Sequence, residues 1–591
     1  MLDAPASTTE TASGAPASTG HRSRRTERAE RPARPKPPLR RRLRLPAVST
    51  LIIQVVLVMG DRMPSVDAAS YFETGRNVIA GNGYVRHGAP ELHFPPVAPV
   101  SLGALEWLLG SEMAALRVWN LVWGLAIVAV LTLIGWFISR DDDVAVATAW
   151  LATLVPGVVV LATRSGSGSE LAAAVFVLSA ALVVLVAYDE RFDGRPWRRH
   201  LLLAGAGALL GLAYLTRPEA LLPAFTICGA AGLMAVFRGG GSVRLRAAHL
   251  GAAAAAMGAT LLLFVGPYLA FQHANTGHWA ATSKNKDASI DAWRAVAQNN
   301  RLERDQILYA IQPDGVSLGP ETRSLSAMAR ENPRNWLTIG WINTKTMFGD
   351  FNSIGWRWGP VWTLIPAFIT FAALGQMVVA RRERSTLLFA VLAMWPLVTC
   401  FFFFALPRYL IQTAAILIPF GAWGLVRLIR LLPRGGRPWA WALVIALCVP
   451  SFVDTSWLLL PGSPTPERTE QRAAGRWLAA NTPEDARVMT RSFHVQSYSD
   501  REIVALPYAD YPSMLEFARR MGVTYLVADE TTMRHRRPEL YPTLMRPEGS
   551  PEGLELVHEF TERGQTVKIY RLDPAPPPSD QPPLWLGYVA D

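Results

Sequence analysis

The chain has 591 residues, half of them apolar and only 18% charged, with a mean hydropathy of +0.18, which excludes an ordinary soluble protein of this size. Its net charge of +11 does not mark a nucleic-acid binder, because residues 1–44 alone hold 11 Lys and Arg against four Asp and Glu. Its three cysteines, Cys228, Cys400 and Cys448, all fall in apolar stretches, which supports neither a disulfide framework nor a cysteine zinc site.

In chain order, the basic tail 1–44 is rich in Pro, Ser, Thr and Ala and is expected to be disordered, with its Arg run against anionic headgroups. A bilayer crossing takes about 20 apolar residues. The stretches 113–138, 143–162, 170–187, 248–271, 358–380, 386–406 and 438–460 approach or exceed that length. The shorter or closely paired stretches 45–60, 201–216, 219–237 and 409–426 bring the expected number of spans to eleven. The first follows a long tail and lacks a small-x-small cleavage site, so it reads as an uncleaved anchor.

Loops after the even-numbered spans hold 15 Arg, and the three short loops of opposite parity hold one each. Short cytoplasmic loops retain Lys and Arg, so the N-terminus is expected inside. The loops 61–112 and 272–357 and everything after 460 are then outward, leaving 45–460 as the membrane module.

The first outward loop reads "VDAASYFETGRNVIAGNGYVRHGAPELHFPPVAP". Asp67 is placed to cap a helix running to about Ala80, with Tyr71 one turn on, and "GNGY" ends it. Capping alone is one reading of Asp67, and chemistry is the other. After Glu91, "HFPPVAP" is expected to run extended into the second span. His87, Glu91 and His93 form a sparse cluster whose spacing matches no strong metal motif, so no metal or other cofactor is expected.

The second outward loop carries "ENPRNWLTIGWINTKTMFGDFNSIGWRWGP". Its Trp336, Trp341, Trp356 and Trp358, with Arg334, Lys345 and Arg357, suit a helix at headgroup level. Beyond 460, helical and strand patterns alternate over 461–572, as in a small α/β domain with a largely parallel sheet. No Gly-rich phosphate loop opens it. His494 and Asp500 read as surface loop residues, and the Pro-rich end 573–591 as disordered.

An Asp after the first span, a "Y…G.GY" helix and then "E…PPxxP" together resemble the polyprenyl-phosphate-sugar-dependent glycosyltransferases of the GT-C superfamily. The closer likeness is to glycosyltransferase family 39, the protein mannosyltransferase-like group that includes aminoarabinose transferases. "LRVWNLVWG", "TRSGSGSELAAAVF", "AYLTRPEALLP" and "LPRYLIQTAAILIPF" are similar to further segments of that group, in the same order. The resemblance implies a GT-C-like membrane bundle acting on the outer face of the cell membrane, with inversion at the sugar, and the high Ala and Arg usage points to a GC-rich bacterium. Its partners would be a polyprenyl-phosphate sugar, a hydroxyl acceptor on protein, lipid or cell-wall glycan, and the bilayer, with no nucleic acid.

The resemblance makes Asp67 the general base, with Asp61 as the alternative, because the second acid that many relatives carry after the catalytic Asp is Ala68 here. Arg117, Arg164, Arg217 and Arg408 stand at outward ends of spans, where a charge needs a partner and a phosphate can supply one. Glu170 and Glu219 are expected to orient them, with Tyr71, Tyr409 and Glu91 in support. A glycan ligase or polymerase, a transporter and a non-catalytic scaffold are the other readings. A transporter should show repeated halves with midplane charges. An oligosaccharyltransferase normally shows a Trp-Trp-Asp motif in its outward domain, which is absent after residue 460.

Overall fold

The structure, a computed structural model, describes residues 37–59, 64–155, 168–190, 196–238, 242–280, 290–298, 300–319, 329–348, 365–402, 407–457, 468–546, 549–582 and 584. Most of the basic tail, Asp61, Arg164, Trp356, Arg357 and Trp358 lie outside the described residues.

The helical part opens with α1 (Arg44–Val58) and α2 (Val66–Ile79). A two-stranded hairpin, β1 (Val85–Arg86) and β2 (Ala89–Pro90), then leads to α3 (Val97–Leu109). The chain continues through α4 (Glu112–Ser139), α5 (Asp142–Leu154), α6 (Ser169–Ala187), α7 (Pro196–Thr216), α8 (Leu221–Arg238) and α9 (Val243–Thr276). After them come α10 (Ile290–Ala297), α11 (Arg301–Leu308), α12 (Pro333–Phe348), α13 (Ala367–Val379), α14 (Arg384–Phe402), α15 (Ile411–Leu431) and α16 (Arg437–Trp457).

Among the described residues, seven helices are long and apolar enough to cross a membrane, at α4, α6, α7, α8, α9, α14 and α15. The other four expected spans correspond to α1, α5, α13 and α16, of which the last three run up to the edge of the described residues. Helix α15 is the hub of the bundle, buried along most of its length and packed on α4, α5, α6, α13 and α14. Leu263, Phe371 and Leu443 point outward, as on a protein whose solvent is lipid.

Two expectations for the loop 61–112 change. Ser65, not Asp67, caps α2, its Oγ accepting from the Ala68 N–H at 3.3 Å. The segment after Glu91 does not run extended into the second span, because a 13-residue helix, α3, intervenes. That helix crosses α2 at Gly75 and Gly103, where a Cβ on Gly75 would stand 2.7 Å from the Gly103 Cα. Two glycines bring these backbones together and fix how α2 enters the bundle.

Beyond the bundle stands a five-stranded sheet of order β4-β3-β5-β7-β6, built from β3 (Arg487–Thr490), β4 (Glu502–Ala505), β5 (Tyr525–Asp529), β6 (Leu554–Glu562) and β7 (Gln565–Leu572). Helices α17 (Thr469–Asn481), α18 (Phe493–Ser499), α19 (Tyr511–Arg520) and α20 (Glu530–Arg536) accompany it. The sheet is mixed rather than largely parallel: β3 pairs parallel with β4 and β5, whereas β7 is antiparallel to β5 and β6. The cause is the turn Arg563–Gly564, both residues at positive φ, since a two-residue hairpin joins only antiparallel strands.

Two further segments pack with this sheet. Residues 301–318 of the loop 272–357 bring Asp305, Leu308, Tyr309 and Leu318 into its core. The Pro-rich end is expected to be disordered, but the Leu584 carbonyl accepts from the Ala505 N–H at 2.7 Å and Ser579 Oγ donates to the Arg520 carbonyl at 2.8 Å. Edge strand β4 has donors to spare, and the tail takes one.

Candidate active site

Four separate stretches of sequence meet at one end of the bundle. Asp67 is the second residue of α2, Glu170 the second of α6, Arg217 ends α7, and Arg408 and Tyr409 precede α15. Arg408 donates from Nη1 to Asp67 Oδ2 at 2.9 Å, and its Nε lies 3.5 Å from Glu170 Oε1. Arg217 donates from Nη1 to the same Glu170 oxygen at 2.8 Å and to Ser169 Oγ at 3.3 Å. Its Nε reaches Glu219 Oε2 at 3.4 Å. The Tyr409 ring lies under both guanidiniums, 5.3 Å from Arg217 and 5.4 Å from Arg408.

Arg217 is only 8% exposed and Glu170 only 6%. Charges buried this far are stable only when paired, and here the carboxylates do the pairing. The Tyr71 hydroxyl lies 3.3 Å from Ser169 Oγ. Burial, reinforced by Asp67, pushes its pKa far above the ordinary phenol value, so Tyr71 stays protonated and serves as a hydrogen-bonding group rather than a base.

Of the residues singled out from the sequence, Asp67, Tyr71, Glu170, Arg217, Glu219, Arg408 and Tyr409 thus converge. Arg117 does not join them: it sits in the first turns of α4, and its Nη2 donates to the Met59 carbonyl at 3.4 Å. Glu91 is also apart. It is 2% exposed, pairs with Arg86, and accepts the backbone N–H groups of His93 at 2.6 Å and Phe94 at 3.0 Å. It therefore shapes the loop after the β1–β2 hairpin. His87 pairs instead with Glu73 at 2.8 Å. Among the described residues, no group of three or more His, Cys, Asp or Glu is placed to hold a metal ion.

Ser169, which links Tyr71 to Arg217, was not evident from sequence; its only signal is its place beside Glu170 at a helix start. His494 departs from the expected surface position. It is buried, not on the surface, with its ring Nε2 3.2 Å from the Pro64 carbonyl.

At the opposite end of the bundle, Arg42 pairs with Asp143 at 2.5 Å, and Arg430 pairs with Asp141 and Asp143. These ion pairs tie α1, α5 and α15 together, while the residues of the candidate site all lie at the other end.

No protein-family model and no curated protein matches the sequence. Solved structures do. The Archaeoglobus fulgidus oligosaccharyltransferase AglB, in complex with an inhibitory peptide and a dolichol-phosphate, superposes with a TM-score of 0.56 at 16% identity, over 83% of this chain and 70% of that one. Its apo form gives 0.55 at 14% identity, over 82% and 70%. ArnT from Cupriavidus metallidurans, bound to undecaprenyl phosphate, gives 0.52 at 14% identity, over 89% of this chain and 97% of that one. The chain therefore shares the fold of these AglB and ArnT structures.

Proposed function

We propose that the protein transfers a sugar, a hexose or pentose, from a polyprenyl-phosphate donor to a hydroxyl acceptor on protein, lipid or cell-wall glycan. The reaction takes place at the extracytoplasmic face of a bacterial plasma membrane, with eleven spans, the N-terminus inside and the sheet domain outside. One observation carries this reading: a carboxylate outside the bundle, Asp67, is brought against two guanidiniums from remote helix ends, Arg408 directly and Arg217 through Glu170. Two neighbours of the same fold bind a dolichol-phosphate and undecaprenyl phosphate, and the arginine-poor short loops support an outward-facing site.

The chemistry follows from the pairing. Arg217 and Arg408 hold the phosphate oxygens with charge-assisted hydrogen bonds and remain charged throughout. A phosphate that takes Arg408 competes with Asp67 for the same guanidinium, which frees the carboxylate for the acceptor. The acceptor hydroxyl oxygen attacks the anomeric carbon and its proton passes to Asp67. The bond from that carbon to the phosphate oxygen breaks, its electrons staying on the phosphate, where the guanidiniums stabilise the developing charge. A single displacement inverts the anomeric centre. The two guanidiniums supply the positive charge that the leaving phosphate needs, and no metal is invoked.

Transfer from radiolabelled undecaprenyl-phosphate mannose, glucose and arabinose to endogenous acceptors in membranes tests the reading. Asp67→Asn is expected to lower turnover about 10²- to 10⁴-fold, the usual worth of a general base, with donor binding retained, whereas Arg217→Ala weakens donor binding as well. Ordinary turnover by Asp67→Asn would move the base to Asp61.

A further inference from the structure

Helix α18 of the sheet domain is fastened to α2 at three points along its length. Just ahead of α2, the His494 ring Nε2 lies 3.2 Å from the Pro64 carbonyl, three residues before Asp67. At mid-helix, Gln496 Nε2 meets His87 Nε2 at 2.7 Å, and the other ring nitrogen of His87 pairs with Glu73 of α2 at 2.8 Å. At the last turn, the Tyr498 hydroxyl donates to Glu112 at 2.8 Å, and Glu112 also holds Arg76 of α2 at 2.7 Å.

The protonation states fit. A carbonyl only accepts, so His494 Nε2 must carry the hydrogen. Burial pushes the His494 ring pKa down to about 4, which leaves the ring neutral and the bond intact across the physiological range. Burial alone would raise the Glu73 pKa, but His87 more than offsets it and holds the carboxyl below its usual range. Glu73 is thus a fixed acceptor for His87, whose remaining nitrogen faces the Gln496 amide.

The bundle grips α2 from the other side, through the Gly75–Gly103 crossing, the Tyr71–Ser169 contact and the Asp67–Arg408 pair. A base misplaced by about 1 Å loses about 10² in rate. The backbone just ahead of Asp67, however, is anchored by His494 of the sheet domain.

We propose that α18 is a positioning element for Asp67: through the Pro64 carbonyl, His494 sets where the base stands, so the sheet domain controls turnover without touching the reacting atoms. This rests on the reading of Asp67 as the base.

The test uses the full-length protein in membranes with the donor panel named above. His494→Leu is expected to lower kcat about 10- to 100-fold, with the KM for donor, which Arg217 and Arg408 bind, unchanged within twofold. His494→Gln, whose amide can still donate to the Pro64 carbonyl, should recover most of the rate. In an Asp67→Asn background His494→Leu should cost nothing further, because the position of an absent base is immaterial. Unchanged kcat in His494→Leu beside an inactive Asp67→Asn overturns the positioning role and leaves the base reading standing. An Asp67→Asn that still transfers overturns both. Amide hydrogen exchange gives a readout independent of activity: His494→Leu should speed exchange in the first turn of α2 while α15 keeps its protection, and unaltered exchange there overturns the proposal. Should His494→Leu fail to fold, Tyr498→Phe and Gln496→Ala carry the same kcat and exchange measurements at the other two points.

Discussion

Burying an acid without donors around it is costly, and Glu470 shows the cost. It is 1% exposed, among the described residues neither carboxylate oxygen finds a hydrogen bond, and its ion pair with Arg468 is long, at 3.8 Å. Burial, with Asp529 adding to it, pushes its pKa from 4.5 up to about 7. Below 4.5 the folded and unfolded forms are both protonated and nothing is lost. Between 4.5 and about 7 the unfolded chain releases the proton while the folded one keeps it, so stability falls as pH rises through that window. At most about 3 kcal/mol is at stake. Glu470→Gln should therefore raise the apparent Tm at pH 8 and leave it nearly unchanged at pH 4; parallel pH profiles for variant and wild type would remove this account. At the same scale, residue type and position pointed to Asp67, Arg217 and Arg408, because charges at helix ends in a membrane protein need partners. Arg117 and Glu91 have local partners that only folding brings near: the Met59 carbonyl for one, and Arg86 with two backbone N–H groups for the other.

Among the elements, α2 matters most, because it carries Asp67 and is held between the bundle and the sheet domain. Its crossing with α3 leaves no room for a side chain, and a methyl group on Gly75 would stand 2.7 Å from the Gly103 Cα. Gly75→Ala should push the two helices apart, lower stability by about 1–3 kcal/mol, as overpacking does, and slow transfer with it. An unchanged melting profile in detergent would show that the crossing relaxes freely. The extent of α2 was legible from "VDAASYFETGRNVIAGNGY", but its cap was not, since Ser65 and Asp67 are both good N-cap residues two positions apart. Helix α3 was hidden by its prolines: Pro95 and Pro96 precede it and Pro99 occupies its first turn, where proline is tolerated.

For the molecule as a whole, the sheet domain is assembled from two distant parts of the chain, and Asp305 is the stitch. Fully buried, it accepts from Arg491 at 3.0 and 3.2 Å, from Arg536 at 2.9 Å and from Arg537 at 3.0 Å. Burial opposes its charge, but these arginines outweigh burial and hold its pKa well below the usual carboxylate range. The stability it confers is thus present at neutral pH and lost as acid protonates it. Asp305→Ala leaves the buried guanidiniums of Arg491 and Arg537 and the partly exposed one of Arg536 around a vacant place, and breaking such a network costs about 3–5 kcal/mol. Limited trypsin digestion should then cut first within 301–319, and equal resistance to trypsin would sink the idea of a stitch.

The sequence by itself determined the apolar helical bundle, the alternating helix–strand character of the sheet domain and most of the charged residues that converge at one end of the bundle, because hydrophobic run length, periodicity and isolated charges are local properties. Only the tertiary structure decided that Arg408 reaches Asp67 across 341 positions, that residues 301–318 belong with the sheet, and that His494 is buried against the start of α2. Each of those contacts joins segments from different helix ends or domains. Their register is set by how the bundle and sheet pack, a constraint that no local pattern of residue types records.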